Sequence, residues 1–150
     1  MPYEIHLIRF DEGRAVEADS DAVREAFSRH AITEFATPCY LTTPDGVTFE
    51  LDAGSLDAGE PLIGVVFTFR SLSLGLTEIV YDVAVAGDFT IILVDNPSIP
   101  LVLCSENARN LPQQSDLADP VVCRSASDIA EQLEPRFSTW QSWAYPDSQA

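Results

Sequence analysis

The chain of 150 residues contains no lysine, and all eight of its basic residues are arginines. Without lysine, neither a phosphate-binding P-loop nor Schiff-base catalysis is possible, because both need the lysine amine. The dinucleotide motif Gly-x-Gly-x-x-Gly and the nucleophile motif Gly-x-Ser-x-Gly are missing as well. We therefore expect a protein that is not an enzyme, with no catalytic residues and no cofactor.

Histidine and cysteine, the common ligands of zinc, are also scarce. Zinc sites need about four ligands at matched spacings, and no Cys-x-x-Cys pair occurs here. Asp52, Asp57 and Glu60 share a glycine-containing loop, but this loop lacks the ordered ligand alternation of a calcium-binding hand. We expect no metal. The histidines and cysteines of the chain are His6, His30, Cys39, Cys104 and Cys123, and they are too scattered to supply a zinc site.

Targeting signals are missing in the same way. The segment Met1–Phe10 has neither a basic leader nor a continuous apolar stretch, so we expect no secretory signal. Apolar runs such as Ile91–Val94 are far shorter than the roughly 18 residues of a membrane span. The three cysteines lie in apolar runs, which predicts buried, reduced thiols. Together these features predict a cytoplasmic protein.

The length suits one domain, and helical and strand patterns interleave without strict alternation. We expect residues 1–150 to form a single compact α+β domain with a mostly antiparallel or mixed sheet and two or three helices. A loop at 96–100 contains two prolines and is not expected inside a strand. Strands are predicted at Tyr3–Phe10, Leu62–Phe69, Phe89–Asp95, Leu101–Cys104 and Val121–Arg124, and helices from Asp19 or Ser20 to Ala31 and from Ser125 to a bend or end at Pro135.

The clearest local signal is a β-hairpin between Cys39 and Asp52. Its turn, Thr43-Pro44-Asp45-Gly46, places proline and glycine where a turn needs them. In the second strand Val47, Phe49 and Leu51 alternate with Glu50 and Asp52. The alternation predicts an apolar row on the core and carboxylates toward water.

The segment Gly75–Gly87 is compatible with two structures. Leu76, Ile79, Val80 and Val83 follow helical spacing, with Gly87 as a stop signal. The β-branched residues of the same segment also alternate as in a strand. We favour the helix.

Negative charge is abundant and unevenly distributed. The chain has 24 acidic residues and a net charge of −16, and residues 40–106 hold ten acids against Arg70 alone. Such a surface disfavours nucleic acid and anionic membranes and favours a basic protein partner. An adaptation to a salt-rich cytoplasm is the alternative reason for the acidity. The acids that we expect to contact the partner are Asp45, Glu50, Asp52, Asp57 and Glu60.

Aromatic residues crowd the end of the chain, where Phe137, Trp140, Trp143 and Tyr145 lie within nine residues. They are interpreted either as a tail packed on the core or as interface anchors, since tryptophan and tyrosine are enriched in interfaces. On the second interpretation Trp140 and Trp143 bind the partner.

A small, acidic, single-domain chain that opens with Tyr3-Glu4-Ile5-His6 and carries the segment Tyr81–Phe89 resembles bacterial immunity proteins, the antidotes encoded beside interbacterial toxins. The resemblance implies a protein that binds a cognate toxin domain and blocks its active site. An acidic antidote suits a toxin with an anionic substrate, because carboxylates stand in for phosphates. The alternative is a small enzyme or ligand-binding domain with an acidic cleft near His6 or His30.

Overall fold

The computed structural model of the protein describes residues 2–36, 39–95, 97–113 and 117–144. The strands in these ranges are β1 Tyr3–Asp11, β2 Arg14–Val16, β3 Cys39–Thr42, β4 Thr48–Asp52, β5 Gly64–Phe69, β6 Thr90–Leu93, β7 Ile99–Val102 and β8 Val121–Val122. The helices are α1 Ser20–Ser28, α2 Gly54–Ala58, α3 Leu74–Gly87, α4 Ala126–Ala144 and a 3-10 helix at Ser105–Asn110.

All eight strands belong to one sheet with the order β3-β4-β5-β1-β6-β7-β8, and β2 folds back onto the end of β1. Neighbouring strands are antiparallel except β7 and β8, which are parallel. The predicted α+β class with a mixed, mainly antiparallel sheet is therefore confirmed. The described residues form more helices than the two or three predicted, because α2 and the 3-10 helix occupy segments interpreted as loops.

Helices cover one face of the sheet. Alternate residues of β1 (Tyr3, Ile5 and Leu7) are buried on that face, which we call the inner face. Helix α3 packs between α1 and α4 and supplies a buried stripe at helical spacing. Its prediction as a helix is confirmed: Ser73 caps its first turn by accepting a hydrogen bond from the Leu76 amide at 3.2 Å. Burial of a stripe along 14 residues outweighs the strand preference of the β-branched side chains.

The predicted hairpin is confirmed as β3 and β4, with Tyr40 opposite Glu50 and Leu41 opposite Phe49. Phe49 and Leu51 are buried on the inner face, as the alternation predicts. The start of α4 is also confirmed, since Ser125 accepts a hydrogen bond from the Asp128 amide at 3.1 Å.

Two prolines behave differently from the prediction. Pro100 lies inside β7, opposite Ile92. Because backbone groups alternate along a strand, the Pro100 nitrogen points away from β6. It faces the stretch between the isolated Ser98–Leu117 bridge and β8, where the described residues include no strand partner, so the missing N–H removes no hydrogen bond from the sheet. The sequence predicts that the last helix bends or ends at Pro135. It does not end there, and α4 continues to Ala144 because its second half packs onto the sheet.

Candidate functional site

The face of β3, β4, β5 and β1 that points away from the helices carries the acidic residues of the hairpin. Glu50 and Asp52 point to this side because Phe49 and Leu51, their neighbours along β4, are buried on the inner face. We call this side the open face. It is formed by Tyr40, Thr48, Glu50, Asp52, Thr68, Glu4 and His6, none of which is buried.

The strand register places these side chains in two rows across the sheet. In one row Tyr40 lies opposite Glu50, Glu50 opposite Thr68, and Thr68 opposite Glu4. Two interstrand spacings therefore separate Glu50 from Glu4, about 10 Å. This distance exceeds the Debye length of about 8 Å at physiological salt, so the interaction between the two carboxylates is largely screened there, and their fields add up mainly at low salt.

The second row contains Asp52, Val66 and His6, with Val66 between the other two. Nε2 of His6 lies 3.4 Å from Oε2 of Glu4, which joins the two rows. A groove of about 490 Å³ borders the open face, and Tyr40, Glu50 and Arg70 are among its lining residues. The open face thus combines carboxylates, hydroxyls, the His6 imidazole and one aromatic ring.

The β6–β7 side of the same sheet face is covered. Ile92 and Val102 point away from the main core and are nevertheless buried. The 3-10 helix lies against β1 and β7, and Leu111, which follows it, is also buried. The open face is therefore limited to the half of the sheet built from β3, β4, β5 and β1.

Asp45, the first of the predicted partner-binding acids, has a structural position. Its carboxylate accepts hydrogen bonds from the Thr43 hydroxyl at 2.5 Å, the Ser73 hydroxyl at 2.9 Å and the Gly75 amide at 3.0 Å. These bonds hold the pKa of Asp45 below its usual range, with the Thr43 bond contributing most. The residue ties the hairpin turn to the start of α3.

The other predicted acids and the tryptophans are spread over separate places. Asp57 lies in α2 and Glu60 just after it, both exposed and beyond the opposite end of β4 from Asp45. Trp140 and Trp143 lie on α4, on the helix side of the sheet. The structure therefore brings Glu50 and Asp52 together, and it separates them from both tryptophans.

Trp140 and Trp143 differ in their surroundings. Trp140 packs against the Phe137 ring at 5.3 Å and the Tyr3 ring at 5.8 Å, so the core-packing interpretation holds for it. Trp143 is 69% exposed. Both line a groove of about 760 Å³, together with Asp95 and Arg136. Tyr145 lies outside the described residues.

A polar cluster at this groove was not predicted from the sequence. The Tyr3 hydroxyl donates a hydrogen bond to Asp95 at 3.1 Å, and Nε of Arg136 lies 3.5 Å from the same carboxylate. Burial and the neighbouring Asp95 charge raise the pKa of Tyr3. The three residues are 41 or more positions apart, so no local pattern could have indicated the cluster.

The histidines do not meet in a cleft. His30 follows α1 instead of lying within it, and its Nε2 is 2.7 Å from Oδ2 of Asp82 on α3. His6 lies on the open face. Neither histidine lines any of five grooves found among the described residues. The described residues also contain no group of three or more His, Cys, Asp or Glu side chains arranged to hold a metal ion.

The three cysteines are all free, but their environments differ from the predicted burial. Cys123 is buried and Cys39 half-buried, whereas Cys104 is exposed because it follows β7 at the start of the 3-10 helix. Burial raises the pKa of Cys123 to about 11, with Asp128 and Glu131 adding to the shift. Burial and nearby Glu34 raise the pKa of Cys39. Neither of these two thiols is activated as a nucleophile at neutral pH.

Comparison with known proteins returns no match, whether with protein-family models, with curated proteins or with solved structures. Within the described ranges, no helix has both the length and the apolar character needed to cross a bilayer.

Proposed function

We propose that the protein is a cytoplasmic immunity protein or inhibitor that binds and neutralises a basic toxin domain through the open face. The observation that carries the proposal is the row formed by Glu50, Thr68 and Glu4, with Asp52 beside it, on an uncovered sheet surface. Glu50 and Asp52 are two residues apart on the same face of β4, about 7 Å, which is within the Debye length. They therefore repel each other, and a cationic partner would relieve this repulsion.

The physical role of the open face has two parts. At a distance, its potential attracts a positively charged domain and raises the association rate by about 10- to 1000-fold. In contact, carboxylates at fixed spacing occupy the cationic sites at which a toxin would hold phosphates. Arginine binds carboxylate and phosphate with the same bidentate geometry, which makes Glu50, Asp52 and Glu4 suitable phosphate substitutes.

The test is neutralisation in cells by co-expression with the product of the neighbouring gene. The open-face variant carries Glu4→Gln, Glu50→Gln and Asp52→Asn. Its matched control removes the same charge from exposed helix positions, with Glu25→Gln, Glu78→Gln and Glu134→Gln. We expect the control to protect cells as the wild type does and the open-face variant to lose protection. Equal protection by all three proteins, or no toxicity to neutralise, would refute the proposal.

A ligand-binding domain is the second candidate function. The groove of about 490 Å³ favours it, because Glu50, Thr68 and Arg70 supply charged and polar groups at a concave surface. A cationic small molecule that raises the melting temperature of the wild type, but not of Glu50→Gln, would support this candidate.

A further inference from the structure

Strand β3 forms one end of the sheet. It pairs with β4 on one side, and no described residue pairs with its other side. An uncovered strand edge exposes backbone donors and acceptors that another extended chain can bind. The register shows which groups these are.

Backbone groups alternate between the two sides of an antiparallel strand. The Thr43 amide donates to the Val47 carbonyl at 2.8 Å, which fixes the phase of the hairpin ladder. The backbone N–H and C=O groups of Leu41 and Cys39 therefore hydrogen-bond to β4. Those of Tyr40 and Thr42 point to the other, uncovered side of β3. These two residues offer a short template for one added strand.

Shortness is the protection that the edge strand β3 has, since it is four residues long and the sequence places Pro38 before it and Pro44 shortly after it. Charged side chains and bulges, which also protect edges, are missing: Cys39-Tyr40-Leu41-Thr42 contains no charge, and its register with β4 is regular. The edge can therefore accept only a short added strand.

Tyr40 is 67% exposed on the open face. The Cys39 thiol contacts the Glu34 carbonyl at 3.5 Å, and beyond this contact a groove of about 340 Å³ lies between the segment 31–36 and Tyr40 and Leu41. The space beside the edge is therefore at Tyr40 and Leu41.

The charges around the edge select the kind of strand that fits. Glu50 is the cross-strand neighbour of Tyr40 on the open face, and Glu34 lies at the groove beside the edge. Arg70 lines the open-face groove together with Tyr40 and Glu50, so the two acids outnumber it near the edge. A second copy of this chain would bring a net charge of −16 to the same acids, so edge-to-edge pairing of two copies is repulsive. A basic strand is attracted instead.

We propose that the outer edge of β3 pairs with an extended basic segment of the partner, which adds a strand to the sheet. The inference rests on the proposed function and names how the partner binds. Alternate side chains of the added strand lie on the open face, where an arginine reaches across the Tyr40 ring toward Glu50. The remaining side chains face Leu41 and the groove, so the fitting sequence alternates basic and apolar residues.

The probe is a synthetic peptide of alternating arginine and valine, compared with the same peptide N-methylated at every residue, which cannot donate backbone hydrogen bonds in either strand direction. Amide hydrogen exchange of the wild-type protein is the main readout and needs no substitution. We expect the Tyr40 and Thr42 amides to exchange quickly in the free protein and slowly in the peptide complex. We expect no protection from the methylated peptide. Unchanged exchange at both amides in the complex would overturn the inference.

Thr42→Pro provides the second arm, because it removes an outward amide from an edge strand, where proline is tolerated. Thr42→Val is its control and keeps the amide. We expect Thr42→Pro to weaken peptide binding about tenfold and Thr42→Val to have little effect. Equal affinity for both variants would overturn the edge pairing. A dimer of the free protein that Thr42→Pro dissociates would overturn the basic partner, because the edge would then pair with a second copy. The neutralisation assay with the open-face variant tests the proposed function separately, since it does not depend on where the backbone pairs.

Discussion

Replacing Phe49 with alanine tests the orientation of β4, on which the position of the acidic residues depends. Phe49 is 2% exposed, and its ring stacks on Phe67 with centroids 5.8 Å apart. Removing a ring that buries about 150–200 Å² at about 25 cal/mol per Å² costs about 4–5 kcal/mol. Large-to-small substitutions of buried phenylalanine cost about 3–5 kcal/mol, which agrees with this value.

The measurement is urea denaturation followed by circular dichroism. Phe49→Ala is expected to remain folded with a free energy of unfolding lower by about 3–5 kcal/mol. Phe49→Asp should fail to fold, because it also buries a carboxylate without a partner. Glu50→Ala is the control on the opposite face of the same strand and should change stability by about 0.5 kcal/mol or less. Similar losses for Phe49→Ala and Glu50→Ala would mean that the strand faces are assigned wrongly.

Three further predictions concern other parts of the structure. Gly87→Ala should destabilise the protein by about 1–3 kcal/mol in thermal denaturation, because an added Cβ would overlap the buried Phe89 ring. Asp45, whose pKa is lowered by folding, stabilises the protein above its unfolded pKa of about 3.9, and this contribution is lost as the pH falls through the lower folded value. Asp45→Asn should therefore be less stable than the wild type at pH 7, and the unfolding midpoints of the two proteins should converge toward pH 2. A difference between the two midpoints that stays the same from pH 7 to pH 2 would contradict this. In a thiol-titration assay Cys104 should react quickly in the native protein and Cys123 only after unfolding.

The elements with strong local signals could be predicted from the sequence. The turn at Pro44 and Gly46, the capping residue Asp19 and the alternation around Phe49 each depend on neighbours within a few positions. The helix predicted within Gly75–Gly87 is also confirmed as α3, because its buried residues repeat at helical spacing. Such features are set by backbone geometry and short-range contacts.

The features that depend on distant pairing could not be predicted. Glu4 and Glu50 share a row only because β5 lies between β1 and β4, an arrangement that no local pattern encodes. Similarly, Pro135 lies within a continuous helix because tertiary packing of Phe137 stabilises the turns beyond it. Hence the acidic residues of the hairpin were identified, but the open face as a surface was not.

The assignment of Asp45 shows why charge position in the sequence is not sufficient to define a site. It lies five residues before Glu50, yet its carboxylate accepts hydrogen bonds from Thr43, Ser73 and Gly75. An acidic residue in a turn beside the start of a helix stabilises the fold, because its carboxylate accepts hydrogen bonds from backbone N–H groups that would otherwise lack a partner. Glu50 and Asp52, in contrast, project from a strand onto an uncovered surface.

The most direct test of the account is the rate at which the protein associates with the product of the neighbouring gene, measured by stopped-flow fluorescence at low and moderate salt. Attraction by the open face predicts that salt slows association of the wild type and of the helix control with Glu25→Gln, Glu78→Gln and Glu134→Gln. The open-face variant with Glu4→Gln, Glu50→Gln and Asp52→Asn should associate more slowly at low salt and respond less to added salt. Equal rates and equal salt dependence for the two variants would contradict the central claim, because only the total charge would then matter.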